Sequence, residues 1–372
     1  MTEPLSLILL VVTLAGACYL TIAALRLAAF SRRPLEFASE FLPSITILKP
    51  VAGLEPDLYD NLASFCNQRY EAPYDVIFCL PRDDDSAAAT VNRVVADFPQ
   101  CAATIAVGIN SAMLNPKIAN IAKPGVEPRG DLVAIVDSDI RVGPNYLRAL
   151  AASFATERVG AVTCLYSGMP NLSLSSRLGA LGIQDGFIPS VLVALTLGAL
   201  RFCLGSTMIV RRRVLEEIGG LAALGDRLAD DHALGELVTG HGHRIELARY
   251  VVRTTVPETT LPELWSHEIR WARTNFVLAP AGYACSFLMY ALPFALLYLA
   301  VSRNLVWGLA LLTIVAALRV AVHYLARSAL RVAGPDDVQL IPLRDFFSLA
   351  VWGASLFGRG VRWRDRRYRM QR

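Results

Sequence analysis

Residues 131–141 read DLVAIVDSDIR: five apolar residues, three of them β-branched, and then Asp137-Ser138-Asp139. A short apolar run of this kind reads as a strand buried on both faces. Three similar runs precede it, SITILKP, YDVIFCL and CAATIAV. DLYDNLASFCNQ and DSAAATVNRVVADFP between them have helical spacing. The βαβαβ rhythm predicts an α/β fold with a mostly parallel sheet and helices on both faces, in which ligands sit at the carboxyl ends of the strands. LKP, LPRDDD and VDSD end their strands there, so Lys49, Asp83, Asp84, Asp85, Asp137 and Asp139 are brought to one edge.

The rest of the chain is more apolar than an ordinary soluble protein. Of 372 residues, 54% are hydrophobic and 18% charged, and the mean hydropathy is +0.43. Leu5 to Leu25 carries no charge and is long enough to cross a bilayer as a helix. MTEP before it lacks the positive start of a signal peptide, so residues 1–30 are expected to form a retained anchor. Arg26, Arg32 and Arg33 after it are expected to place the middle of the chain on the cytoplasmic side of the membrane. Phe276–Val301 and Leu305–Leu325 read as a helical hairpin over residues 276–326, with Arg319 as the charge inside its second run. Phe346–Phe357 is too short to span and is expected to be interfacial or re-entrant. It opens the tail region 327–372, where Trp363 and Tyr368 among arginines suit anionic headgroups.

The net charge of +4 is concentrated near these runs and in the tail, and points to no nucleic-acid partner. The seven cysteines form no CxxC pair and read as reduced, buried thiols.

Between residues 43 and 273 three constellations carry chemistry. Alternation along the extended chain points Asp137 and Asp139 the same way, and two hard oxygen ligands on one side suit Mg²⁺ or Mn²⁺, which takes further ligands from phosphates. The aspartates also cap turns, but with Asp83–Asp85 ending a neighbouring strand the cluster needs a cation or a proton as partner. In Ala229-Asp230-Asp231-His232, at an expected helix start, adjacent carboxylates favour the helix dipole, and one can also act as a general base. In Trp265-Ser266-His267-Glu268-Ile269-Arg270-Trp271, residues His267, Arg270 and Trp271 share a helical face, either as a phosphate and ring contact or as an interfacial anchor. The apolar stretch 172–202, broken by Gly and Pro, reads as an interfacial element that receives a lipid. His241 and His243 read as loop residues.

Taken in order, ILKPVAGLEPDLYDNLASFCNQRY, NPKIANI, VDSDIRV, LADDHALG and HEIRWART resemble the membrane-bound family 2/21-type glycosyltransferases, over nearly the whole chain. Within these the chain is similar to the ceramide glucosyltransferase branch and, more closely, to bacterial hopanoid-associated enzymes. The resemblance implies a GT-A (Rossmann-like) domain, a UDP-sugar donor, a divalent metal, a membrane-lipid acceptor (hopanoid polyol or ceramide) and inversion at the sugar. It implies that Lys49, Lys117 and one of Asp83, Asp84 and Asp85 hold the nucleotide, Asp137 and Asp139 the metal and diphosphate, and that Asp231 is the base. His267, Arg270 and Trp271 would occupy the QxxRW-type motif, with His267 standing where the family usually has Gln or Arg. Arg82 stands where the family pattern puts its first Asp. A processive polysaccharide synthase would need a channel of more spans than the three visible here. A non-catalytic lipid carrier would not need the full set of charged positions.

Overall fold

The computed structural model describes residues 2–35, 37, 41–198, 200–227, 229–357, 360–363 and 366–369. Side chains beyond residue 357, including Trp363 and Tyr368, lie outside the described residues, as does the expectation that they sit among headgroups. In chain order the elements are α1 (Thr2–Arg32), β1 (Ile45–Pro50), α2 (Leu58–Cys66), β2 (Tyr74–Leu80), α3 (Ala88–Asp97), β3 (Ala102–Val107), α4 (Pro116–Ile121), β4 (Leu132–Ile135), β5 (Ile140–Arg141), α5 (Tyr146–Ala152) and β6 (Val159–Pro170). There follow α6 (Leu174–Gly182), a π-helical turn (Ile183–Phe187), α7 (Ile188–Ala194), β7 (Met208–Arg211), α8 (Arg212–Glu217), α9 (Asp230–Gly240), β8 (Arg244–Val256) and α10 (Leu261–Leu278). The chain continues through α11 (Pro280–Cys285), α12 (Ala291–Val301), α13 (Leu305–Leu330), α14 (Ile341–Ser355), β9 (Gly360–Trp363) and β10 (Arg366–Arg369).

These elements form two compact units. A sheet unit comprises Arg33–Ser167 and Gly198–Thr255, and a helical unit Met1–Arg32, Gly168–Leu197 and Val256–Arg372.

In the sheet unit the strand order is β3-β2-β1-β4-β7-β6-β8-β5. β3, β2, β1 and β4 are parallel, with Ile45 beside both Tyr74 and Leu132. The expectation of a mostly parallel sheet holds for this half alone. β7 runs antiparallel to β4 and to β6, and β5 antiparallel to β8. The reason is local: β7 has four residues and β5 two, too short to stand out as periodic segments. β4 and β7 are buried along their whole length, as strands covered on both faces must be. Tyr146 is fully buried, with edge contacts to Phe65 and Tyr250 at ring separations of 5.6 Å each.

Gly130 precedes β4 where a side chain has no room: a Cβ there would lie 2.5 Å from Thr46 N and 2.7 Å from Ile45 C, both backbone atoms of β1. Gly130→Ala is expected to destabilise the protein by about 1–3 kcal/mol, because β1 and not a flexible side chain must yield. A thermal melt equal to wild type would contradict this.

In the helical unit, Glu3–Arg32 and Leu305–Leu330 are long and apolar enough to cross a membrane, with hydropathies of 2.4 and 2.3. α1 packs against α12 and α13. Gly16 allows close approach, since a Cβ there would lie 2.7 Å from Ala291 Cβ. The run expected as one span over Phe276–Val301 is not one helix. α10 ends at Leu278, Pro280 starts a new short helix, and Pro280–Met289 meets Ala291–Val301 at a 59° bend. Mean hydropathy is blind to this break. α14, at 15 residues, is shorter than a span requires. Arg319 inside α13 is buried and paired with Asp345 at 2.6 and 3.0 Å, and His323 lies 2.8 Å from Asp185. Pairing of this kind is what ionisable groups in an apolar helix need.

Candidate active site

The site is built on the carboxyl ends of β1, β2 and β4. Their following loops are tied together. Gly53 N donates to Asp85 Oδ1 at 2.8 Å, Leu54 N to Ser86 Oγ at 3.0 Å, and Ser138 Oγ to Glu55 Oε2 at 2.7 Å. Asp85 also accepts from Ala87 N at 2.9 Å, so its carboxylate holds two loops. Asp84 pairs with Arg82 at 3.1 Å on the exposed surface, and Asp83 is exposed beside it.

Asp137-Ser138-Asp139 is not an extended continuation of β4. Ile140 N donates back to Asp137 O at 3.3 Å, closing a turn, so strand alternation does not set the direction of the two aspartates. They reach different partners: Lys117 Nζ lies 2.8 Å from Asp137 Oδ1, and Thr254 Oγ1 donates to Asp139 Oδ2 at 2.6 Å. One oxygen of each carboxylate has no protein partner among the described residues.

Lys117 is the hub. It lies in the first turn of α4, where the Asn115 side chain accepts from Lys117 N at 2.9 Å and Ile118 N at 3.2 Å. Asn115 also donates to Arg227 O at 2.8 Å. From this capped start the Lys117 ammonium reaches Asp137, Asp230 Oδ2 at 3.0 Å and Gly205 O at 3.3 Å. Asn115→Ala removes the cap and the tie to the chain before α9, and is expected to cost about 1–2 kcal/mol and to loosen the lysine. A thermal melt equal to wild type would contradict that.

Asp230 and Asp231 open α9. Asp231 Oδ1 accepts from its neighbour His232 N at 2.8 Å, and a Cβ on Gly205 would lie 3.2 Å from Asp231 Oδ2. Burial, reinforced by the charge of Asp230, pushes the Asp231 carboxyl up to about 6, with Lys117 pulling the other way. Burial and the charge of Asp137 likewise push Asp139 to about 6. Burial alone would lower the Lys117 ammonium, but Asp137 and Asp230 hold it above its usual range. Lys49 is fully buried at the end of β1, its Nζ 2.5 Å from Asp137 O and 4.0 Å from the Phe65 ring centre. Burial brings its ammonium down to about 7. Lys49 thus lies beneath the turn and supports it through the backbone.

Five carboxyl groups, Glu55, Asp137, Asp139, Asp230 and Asp231, stand against two ammonium groups in this region. Among the described residues no group of three or more His, Cys, Asp or Glu is placed to hold a metal ion by itself. An excess of hard oxygen donors and two unpartnered carboxylate oxygens fit a divalent cation completed by water and substrate oxygens.

His267, Arg270 and Trp271 belong to the helical unit. A capping box of Thr260 and Glu263 fixes the start of α10. His267 Nδ1 contacts Glu258, its ring meets Trp271 edge-on at 4.5 Å, and Trp271 lies 6.5 Å from Phe187. Arg344 clamps the neighbouring Glu268 at 2.5 and 2.7 Å. Burial would raise the Glu258 carboxyl, but the His267 hydrogen bond brings it below its ordinary value. His241 and His243 stand in the turn after α9, as their sequence suggested. Five cysteines are buried, and all seven are free.

Sequence reasoning missed Thr254, Glu55 and Glu258. Thr254 and Glu258 carry no local signal, but Glu55 lies in the LEPD stretch after β1 and was open to notice.

The parallel half-sheet ending in an acidic turn, joined to long apolar helices, defines a membrane-associated α/β domain of the GT-A type. A mannosyltransferase from Pyrobaculum calidifontis, solved with GDP-Man and Mn²⁺, shares this fold with a TM-score of 0.54 at 16% identity, over 95% of this chain and 99% of that one. The chain belongs to glycosyl transferase family 21, whose model matches residues 8–372. Ceramide glucosyltransferase 1 of Caenorhabditis elegans is 23% identical over 64% of this chain and 51% of its own length. Ceramide glucosyltransferase of Gibberella zeae is 33% identical over 36% of this chain and 27% of its own. The chain thus spans about half the length, or less, of the curated relatives it matches.

Proposed function

We propose that this protein transfers a sugar from a nucleotide diphosphate sugar, UDP-linked, to a hydroxyl group of a membrane lipid, with inversion at the anomeric carbon. The observation that carries the reading is the carboxylate cluster organised by Lys117, in which burial raises Asp231 to about 6, so that it can accept a proton near neutral pH, beside an acidic turn suited to a cation. Asp231 is the general base: it takes the lipid hydroxyl proton as the new oxygen–carbon bond forms opposite the departing diphosphate. Asp137 and Asp139 would hold Mg²⁺ or Mn²⁺, which would neutralise charge on the leaving diphosphate. Lys117 sets the direction of Asp137 and the electrostatics of Asp231. Lys49 positions the Asp137 backbone from below. Asp83 and Asp84, exposed beyond β2, remain the residues proposed for the base of the nucleotide, with Asp85 bracing their loop. For His267, Arg270 and Trp271 the proposal rests on their motif and shared helical face. Residues 1–30 anchor the chain, 172–202 receive the lipid, and the arginines after α1 support a cytoplasmic catalytic region.

The relatives' names support ceramide as acceptor and glucose as sugar. A hopanoid polyol with N-acetylglucosamine is the other outcome. Purified protein given labelled UDP-glucose or UDP-N-acetylglucosamine with each lipid is expected to glycosylate one of them. Chelation should lower the rate at least about 100-fold, with Mn²⁺ or Mg²⁺ restoring it. Transfer unchanged by chelation would remove the metal from the account, and no transfer to either lipid would remove the acceptor assignment.

A further inference from the structure

We infer that a basic cavity at the amino-terminal edge of the sheet binds the phosphate of an anionic membrane lipid. The cavity, of about 400 Å³, is lined by Arg33, Arg158, Arg244 and Arg249, with Glu246 as its carboxylate. Arg33, Arg158 and Arg244 are exposed, and among the described residues no carboxylate pairs with any of them. Hydrogen bonds to backbone carbonyls hold the arrangement: the Arg249 side chain donates through Nε to Arg33 O at 3.2 Å, and Arg244 N donates to Arg158 O at 2.8 Å. Several guanidinium groups sharing a small concave space repel one another unless an anion joins them. The planar fork of arginine fits phosphate oxygens in pairs.

The cavity is separate from the carboxylate cluster. Thr163 of β6 is level with Met208, and Met208 with Ile135, the last residue of β4. Val159, at the cavity, lies four residues earlier on β6, about 13 Å away toward the opposite sheet edge. The source of the phosphate follows from chain connectivity. Arg33 is the residue after α1, a helix of 31 residues and so about 46 Å long, close to the roughly 40–45 Å of a bilayer with its headgroups. A span that begins at one headgroup layer therefore delivers Arg33 to the other, where anionic lipids concentrate phosphate at the surface.

The test uses full-length protein in neutral detergent, offered equal phosphatidylglycerol and phosphatidylcholine, with retained lipid counted by native mass spectrometry. Wild type should retain phosphatidylglycerol preferentially, and Arg158→Ala with Arg244→Ala should lower that retention about 20- to 30-fold. The corresponding pair of lysine substitutions should keep most of it. If the double alanine variant melts below wild type, the single reversal Arg158→Glu provides the same reading. Equal retention by wild type and variants overturns the inference, and displacement of the lipid by inorganic phosphate alone overturns the lipid as its source. Sugar transfer in neutral detergent should be unchanged by these substitutions, so the result is independent of the proposed reaction.

Discussion

Asp231→Asn is expected to reduce kcat for sugar transfer by about 10²–10⁴-fold while leaving the KM for the sugar nucleotide within a factor of about three. The amide keeps the shape and the hydrogen bond from His232 N, so α9 should still start where it does. What is lost is the ability to accept a proton. The wild-type pH profile gives an independent reading. Burial raises the Asp231 carboxyl to about 6, so the proposed base would be protonated and idle below that pH and available above it. The rate should therefore rise through pH 6 and level off. Asp139, also at about 6, contributes to the same limb, and the pair titrates as a unit. A variant that retains wild-type kcat, or a profile flat from pH 5 to 8, would take Asp231 out of the reaction.

Lys117→Met should be the most damaging single change to stability in the sheet unit, by about 3–5 kcal/mol, because it leaves buried Asp230 and part-buried Asp137 without their shared counter-charge. Exposure of Asp137 to water places the loss toward the lower figure. The raised ammonium of Lys117 contributes its stability below its unfolded value of about 10.4 and loses it only in strongly alkaline solution. The deficit of the variant should thus persist to pH 9, and should grow as pH rises past 6, where the Asp231 carboxyl left without this counter-charge has to ionise. Removal of this positive charge also pushes Asp231 further up, so any residual activity should need a more alkaline solution than wild type. Thermal melts and pH–rate profiles measure both effects. A variant that melts with wild type would mean that Asp137 and Asp230 do not depend on the lysine.

The parts of the fold that were legible in the sequence are those with long or strongly patterned elements. β1 and β4 read as strands because they are almost continuously apolar, and α10 because His267, Arg270 and Trp271 recur at helical spacing. The antiparallel half was not legible: β5 and β7 are too short for a period, and pairing with β4 depends on chain from elsewhere. The interruption of the expected second span was hidden because Pro280 and the bend near Tyr290 leave hydropathy high.

At the site the residue types were legible and their directions were not. DSD announced an acidic strand end, but the turn closed by Ile140 N sends Asp137 to Lys117 and Asp139 to Thr254, a residue of β8 far along the chain. Lys49 stood at the expected strand end, and only packing on Phe65 reveals that it points beneath the turn.

The central claim is that the chemistry at Asp231 glycosylates a lipid. It is tested most directly by mass spectrometry of lipids from cells that make this protein, against cells that make Asp231→Asn, supplied with ceramide or a hopanoid polyol. The account predicts a hexose or N-acetylhexosamine increment on one lipid class with the wild-type protein and none with the variant. The same increment from both proteins, or none from either, would contradict it.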